Sequence, residues 1–211
     1  MSIKNSGVIH PHRGTLHLKF GPMFSAKTTW LNMELTVRAD TGFKCLKVVH
    51  IDDNRSDVAS NSEDGSTHNS TFQTISDKIT VVRTATLVGL DVSEYHVIGV
   101  DEAQFYPDLL AAVPDWVAQG KHVRVVGLDG DSKMCKFGKI LDLIPLADAA
   151  EKVSANCQVC LQELKANDYK GNIFAITGGF TRKIAGNVDS QTDPGGSDKY
   201  MPVCRYHHSN D

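Results

Sequence analysis

The sequence predicts an α/β fold, a mainly parallel sheet flanked by helices around a phosphate-binding loop, with a small metal-held unit behind it. Three observations carry this prediction. Short apolar runs alternate with helix-length segments as far as Val153, the spacing of a parallel sheet. Gly21 opens a turn that ends in Lys27-Thr28. Two pairs of soft ligands, Cys157-x-x-Cys160 and Cys204-x-x-His207, lie beyond the alternating region.

Taken in order, Leu16 to Phe20 reads as a strand running into the turn, and Thr28 to about Ala39 as a helix with Leu31 and Leu35 on one face. Thr41-Gly42 supplies its stop. Cys45 to Ile51 is a buried strand, and the polar stretch from Asp52 to Thr71 a long loop, mobile in the absence of ligand. Ile79 to Val82 is a short strand, Tyr95 to Val100 an apolar run ending in Asp101-Glu102, Asp108 to Gln119 a helix, and His122 to Leu128 a further strand. The core is expected to end near Val153. From Asn167 to Lys199 the chain is Gly-rich and polar, too poor in apolar residues to fold without a staple, for which a metal is the usual remedy.

The turn departs from the phosphate-loop pattern at one position. The pattern asks for Gly, four residues, Gly, Lys, then Ser or Thr; Gly21, Lys27 and Thr28 comply, and Ala26 stands where the second Gly belongs. Ala26 keeps the backbone N–H that faces a phosphate, but an L-residue forced to positive φ costs roughly 1–2 kcal/mol. On the pattern alone, a nucleotide site and a chance match stand level.

Asp101 and Glu102 end a buried strand, and open α/β sheets carry their ligand sites at that edge. Acids at strand ends are commonly just solvated. A phosphate loop upstream turns the balance, because the first acid then suits a Mg²⁺ ion beside the Thr28 hydroxyl and the second a base that accepts a hydroxyl proton. The Cys and His spacing meets tetrahedral zinc, and four protein ligands leave no open position, so the zinc is structural. His208 is an alternative to His207 with a poorer spacing. Arg55 in Asp53-Asn54-Arg55 reads as a phosphate-facing Arg or equally as a surface residue.

The 211 residues carry 22 Lys and Arg against 25 Asp and Glu, a net charge of -3, which disfavours a nucleic-acid binder. No apolar run approaches the roughly 18 residues of a membrane span. The five cysteines are odd in number and three gather near His207, which suits reduced thiols on a metal. We therefore expect a soluble intracellular protein.

The ordered set Gly21-Pro22-Met23-Phe24-Ser25 before Lys27-Thr28, Asp53-Asn54-Arg55, Asp101-Glu102-Ala103-Gln104-Phe105, Leu128-Asp129-Gly130, Phe137-Gly138, and Gly195-Gly196-Ser197-Asp198-Lys199-Tyr200 before Cys204-Arg205-Tyr206-His207 closely resembles the type II thymidine kinases. The resemblance spans about residues 15 to 208. It implies transfer of the γ-phosphoryl group of ATP to the 5′-hydroxyl of thymidine, in nucleotide salvage for DNA synthesis. It implies a P-loop (RecA-like) core over 14–153, a zinc-binding domain with a lasso loop over 154–208, and flexible termini at 1–13 and 209–211.

By the same resemblance Glu102 is the general base. Gly21, Pro22, Met23, Phe24, Ser25, Ala26, Lys27, Thr28, Asp53, Asn54, Arg55, Asp101 and Gln104 surround ATP, with Thr28 and Asp101 on Mg²⁺. Phe105, Leu128, Ser132, Phe137, Asp193, Gly195 and Tyr200 shape the acceptor pocket, the segment from Gln191 to Tyr200 is the lasso that closes over the base, and Cys157, Cys160, Cys204 and His207 hold zinc. A cytoplasmic homo-oligomer, dimer or tetramer, is implied, with neither nucleic acid nor membrane as partner. The chain differs from many members at Ala26, at Ser132 where an aromatic residue is common, in an extra loop at Phe174 to Val188, and at Pro194. Ser132 widens the pocket and leaves a broader deoxynucleoside kinase open beside the thymidine-specific one, while Ala26 leaves open a regulatory nucleotide binder.

Overall fold

The computed structural model describes residues 13–53, 78–166, 176–186, 191 and 195–209. Among these, six strands form one sheet in the order β3-β2-β4-β5-β1-β6, and every neighbouring pair is parallel. The strands are β1 (Thr15–Phe20), β2 (Cys45–His50), β3 (Ile79–Thr84), β4 (Val97–Val100), β5 (His122–Gly127) and β6 (Ala149–Lys152). Helix α1 (Lys27–Asp40) covers one face and α2 (Leu109–Ala118) the other.

The two faces follow from strand alternation. Leu46, Val48, Ile98, Val100, Val123 and Val125 point to the α2 side and pack with Leu109, Val113 and Trp116. Cys45, Val97 and Val126 point to the α1 side, against Leu31, Leu35 and Ala39. Both β2 and β4 are buried along their whole length, which is why they read as continuous apolar runs and not as alternating ones. Helix α2 continues through Pro114. A proline there costs about 3 kcal/mol, whereas burying Leu109, Val113 and Trp116 contributes about 1.5–3 kcal/mol for each large side chain, so packing wins.

The expected core elements are present with ends moved by a few residues. Ile51 is 53% exposed and lies outside β2, while β3 extends to Thr84. Strand β6 is an element the sequence did not announce: Ala149-Ala150-Glu151-Lys152 is exposed throughout and pairs only with β1. Beyond Val153, helix α3 (Gln158–Ala166), an antiparallel pair β7 (Phe180–Lys183) and β8 (Tyr200–Val203), and the short helix α4 (Arg205–Ser209) form the C-terminal unit. Part of the extra loop expected at 174–188 is therefore strand. Asn54, Arg55, Asp193, Pro194, most of the long polar loop and both termini fall outside the described residues, save Arg13 and Ser209.

A parallel sheet brings the carboxyl ends of its strands to one edge. Here that edge gathers Gly21 after β1, Asp52 and Asp53 after β2, Asp101 after β4 and Leu128 after β5.

Candidate active site

The phosphate loop leaves β1 at Gly21, whose φ is 154° and whose place a Cβ would bring within 2.3 Å of the Val153 carbonyl oxygen. Only glycine fits there. The loop then takes positive φ at Phe24 (62°) and Ala26 (58°). Ala26 is thus held in the left-handed region that the expected glycine would occupy freely, and it is the residue from which α1 starts. Lys27 is buried; its Nζ donates to the Pro22 carbonyl at 2.6 Å and to Ser25 Oγ at 3.3 Å. Ser25 Oγ also donates to the Pro22 carbonyl, at 2.8 Å.

Thr28 and Asp101, 73 residues apart in sequence, meet: Thr28 Oγ1 donates to Asp101 Oδ1 at 3.1 Å. The same oxygen accepts the Glu102 N–H at 3.0 Å. The second carboxylate oxygen of Asp101 faces Lys47 Nζ at 3.4 Å, with both side chains almost wholly buried. Lys47 has no sequence signature, being a lysine in the middle of a largely apolar strand. Its burial is tolerable because a buried charge needs a partner, and Asp101 provides one.

Glu102 carries a φ of 49°, a conformation that a non-glycine residue adopts at some cost in strain. Its carboxylate accepts a hydrogen bond of 2.6 Å from Gln104 Nε2, and Gln104 Oε1 accepts the Leu128 N–H at 2.8 Å. Gln104 therefore ties the acid to the strand end that opens the neighbouring loop. Gly138 (φ 63°) lets that loop return over Gln104, since a Cβ would come within 2.2 Å of the Gln104 carbonyl oxygen. Phe105 and Phe137 meet edge to face at 5.6 Å, and His50 lies 5.3 Å from Phe105 and 5.0 Å from Tyr106. Burial, then the Asp101, Asp108 and Asp53 carboxylates, pushes the Tyr106 phenol far up, so it stays neutral.

These groups face a cavity of about 550 Å³, within the range of small-molecule sites. Of the expected residues, Met23, Phe24, Ser25, Ala26, Lys27, Thr28, Asp53, Glu102, Gln104, Phe105, Leu128, Ser132, Phe137, Gly195 and Tyr200 line it. Gly21, Pro22 and Asp101 are buried and are not among its lining residues. Thr29, Asp52, Gly130, Asp131 and Thr181 line it unexpectedly, and Gln191 and Gly196 do so from the segment expected to close over the base. Two of them bond across the cavity: Thr181 Oγ1 accepts the Met23 N–H at 3.0 Å, and Gln191 Nε2 donates to Asp131 Oδ2 at 2.7 Å. Thr181 carries no motif; only the pairing of distant segments reveals it.

The four soft ligands also converge. His207 Nδ1 lies 3.5, 3.2 and 3.4 Å from the sulfurs of Cys157, Cys160 and Cys204, Cys160 Sγ lies 3.9 Å from Cys204 Sγ, and all four ligand atoms fall within 4.8 Å of one another. In a zinc tetrahedron with bonds of about 2.3 Å to sulfur and about 2.0 Å to nitrogen, neighbouring ligand atoms stand roughly 3.5–3.8 Å apart, so the residues fit that ion. Glu163 Oε1 lies 3.1 Å from His207 Nε2, the carboxylate–histidine arrangement that sets the tautomer leaving Nδ1 to the metal. Burial and then the adjoining sulfurs push the Cys160 thiol up to about 12. At Cys157 burial opposes the thiolate, but hydrogen bonds from residues 160 and 204 outweigh it and hold the thiol below the usual range. His208, the alternative ligand, points elsewhere: its Nε2 donates to the Ser132 carbonyl at 3.0 Å.

A family model described as thymidine kinase matches residues 14–208. The thymidine kinase of Oryza sativa subsp. japonica is 37% identical over 92% of this chain, which spans 66% of the rice protein. The cytosolic thymidine kinase of Bos taurus is 31% identical over 92% of the chain and 71% of its own length. The thymidine kinase of Fowlpox virus is 32% identical over 91% of the chain and 95% of its own.

Proposed function

The chain belongs to the thymidine kinase family, and on that premise we propose that it transfers the γ-phosphoryl group of ATP to the 5′-hydroxyl of thymidine, giving thymidine monophosphate and ADP for DNA synthesis. The observation that carries this reading is the Thr28 hydroxyl bonded to Asp101 at the mouth of the phosphate loop, with Glu102 next in sequence and facing the same cavity.

In this reading the N–H groups of the loop and Lys27 Nζ receive the phosphates, Lys27 giving up its bond to the Pro22 carbonyl. Thr28 and Asp101 are the residues that would hold Mg²⁺, which when bound offsets the charge of the donor phosphates. Glu102 accepts the proton of the 5′-hydroxyl as its oxygen bonds the γ-phosphorus and the bond from that phosphorus to the bridging oxygen breaks. Gln104 aims the Glu102 carboxylate through its 2.6 Å bond. Phe105, Phe137, Leu128 and Tyr200 flank the base, and the segment around Gly195 closes over it. Ala26 already holds the left-handed backbone of the loop, which supports a working donor site over a degenerate one.

The same proposal divides the chain into a kinase core over 14–153 and a zinc-binding domain over 154–208. It places the protein in the cytoplasm, as the name of the Bos taurus relative says of that protein. It takes the chain to be a homo-oligomer, for which Met33 and Val37, exposed on α1, are a suitable apolar surface.

The test is an ATP-consumption assay over a panel of nucleosides, which also reads the breadth of the pocket beside Ser132. Thymidine is the expected substrate. Glu102→Gln should retain ATP binding while losing at least about 100-fold in kcat, the usual weight of a general base; full turnover in that variant would remove Glu102 from the role.

A further inference from the structure

His208 is the residue after a metal ligand, yet it turns away from the metal cluster and reaches the wall of the acceptor pocket. Its Nε2 donates to the Ser132 carbonyl at 3.0 Å, across 76 residues of sequence. Because a carbonyl only accepts, this bond requires the proton on Nε2. The ring packs edge to face on Phe180 at 6.0 Å, and Phe180 is itself flanked by Lys152 at 5.4 Å and Arg205 at 4.6 Å.

The loop that His208 grips spans Gly130 to Lys136. It is closed internally by an antiparallel bridge between those two residues. Asp131 Oδ1 takes the N–H groups of Lys133 and Cys135, both at 2.9 Å. These bonds shape the loop but do not position it against the rest of the cavity. That task is shared between the core, where Lys136 Nζ pairs with Asp142 Oδ1, and contacts from the C-terminal unit, of which His208 on Ser132 and Gln191 on Asp131 are two. Ser132, Asp131 and Gly130 all line the cavity.

We propose that His208 is a positioning residue for the acceptor pocket, coupling the metal-held helix α4 to the loop that forms one wall of the base site. The chain of contacts is short. His207 Nδ1 belongs to the Cys/His cluster, Arg182 Nη1 donates to the His207 carbonyl at 2.8 Å, and the next residue carries the hydrogen bond to Ser132. With α4 fixed by the cluster, the Ser132 carbonyl has a fixed donor; with the donor removed, the loop keeps its internal turn and its ties at Lys136 and Asp131, and its Ser132 stretch is loosened. This inference rests on the thymidine kinase reading for the identity of the pocket's occupant, but not for the contact itself.

The experiment compares the full-length, zinc-loaded protein with its His208→Ala and His208→Gln variants, by steady-state kinetics, zinc content and amide hydrogen exchange of residues 130–136 without nucleoside. We expect His208→Ala to keep stoichiometric zinc, to raise KM for thymidine roughly five- to tenfold with KM for ATP unmoved, and to speed exchange in the loop. His208→Gln, whose amide also donates, should recover most of both. Unchanged exchange at 130–136 would overturn the proposal whatever the substrate is, as would loss of zinc from His208→Ala or an equal rise in both KM values. A wild-type protein that turned over no thymidine would overturn the functional reading instead, leaving the exchange comparison to decide the role of His208.

Discussion

At the scale of single residues, Ala26 is the sharpest case, because the backbone takes the left-handed conformation (φ 58°, ψ 26°) that the missing glycine would have favoured. Ala26→Gly should therefore relieve local strain. The gain is at most about 1 kcal/mol, since glycine also returns entropy to the unfolded chain; thermal melts should show a small rise or none, and kcat should hold or improve slightly. A drop in kcat above twofold would mean that the Cβ itself is used. Lys27→Ala, by contrast, should remove nearly all turnover. Much of the candidate site was legible because its residues announce themselves locally: Lys27-Thr28 by spacing from Gly21, and Asp101-Glu102 by following an apolar run. Lys47 and Thr181 were not legible, since a lysine within a strand or a threonine within a polar tail gains meaning only from the segment it meets. Ser132 was noticed for its side chain, yet its carbonyl makes the contact that the fold reveals.

Among elements, those with a strong pattern were readable and those stabilised by others were not. Helix α1 and strands β2, β4 and β5 carry enough apolar residues to be recognised alone, whereas Ala149 to Lys152 forms β6 only because β1 offers an open edge. The β7–β8 pair has the same dependence: two short strands are marginal in water, and helix α3 buries no residue. A metal on the four clustered ligands would supply much of the order beyond Val153, given that structural zinc sites are worth on the order of 10 kcal/mol in small peptides. Cys157, fully buried, is the ligand whose loss should be least tolerated. We predict that Cys157→Ala loses stoichiometric zinc by metal analysis and becomes cleavable by protease beyond residue 153 while the core resists. Stoichiometric zinc in that variant would contradict the ligand set.

For the whole molecule, acid should be the weak side of its stability. His17 lies below the usual histidine range, chiefly through burial and then Arg124. His122 does too, through burial and then Arg124, Arg38 and His96; its Nδ1 meets Thr15 Oγ1 at 3.0 Å. A histidine depressed in the folded state binds its proton more readily when unfolded. Its contribution is fully present above the unfolded value of about 6.5 and is lost as pH falls towards the lower folded values. Melting temperature should fall as pH drops below about 6.5, and His17→Gln/His122→Gln should flatten that slope; an unaltered slope in the double variant would assign the acid loss elsewhere, for instance to protonation of the Cys and His cluster.

The bond from the Met23 N–H to Thr181 has a consequence for the order in which the protein is made. The phosphate loop leaves the ribosome before its partner hydroxyl, which lies 158 residues later, and the strand bearing that hydroxyl pairs with β8, just ahead of Cys204 and His207 of the ligand cluster. A nascent chain can build the sheet edge early, but its donor loop gains its final fastening only when the tail has emerged and folded back. An early-made loop thus waits on a late-made strand, and a chain that stops short of β7 lacks this tie.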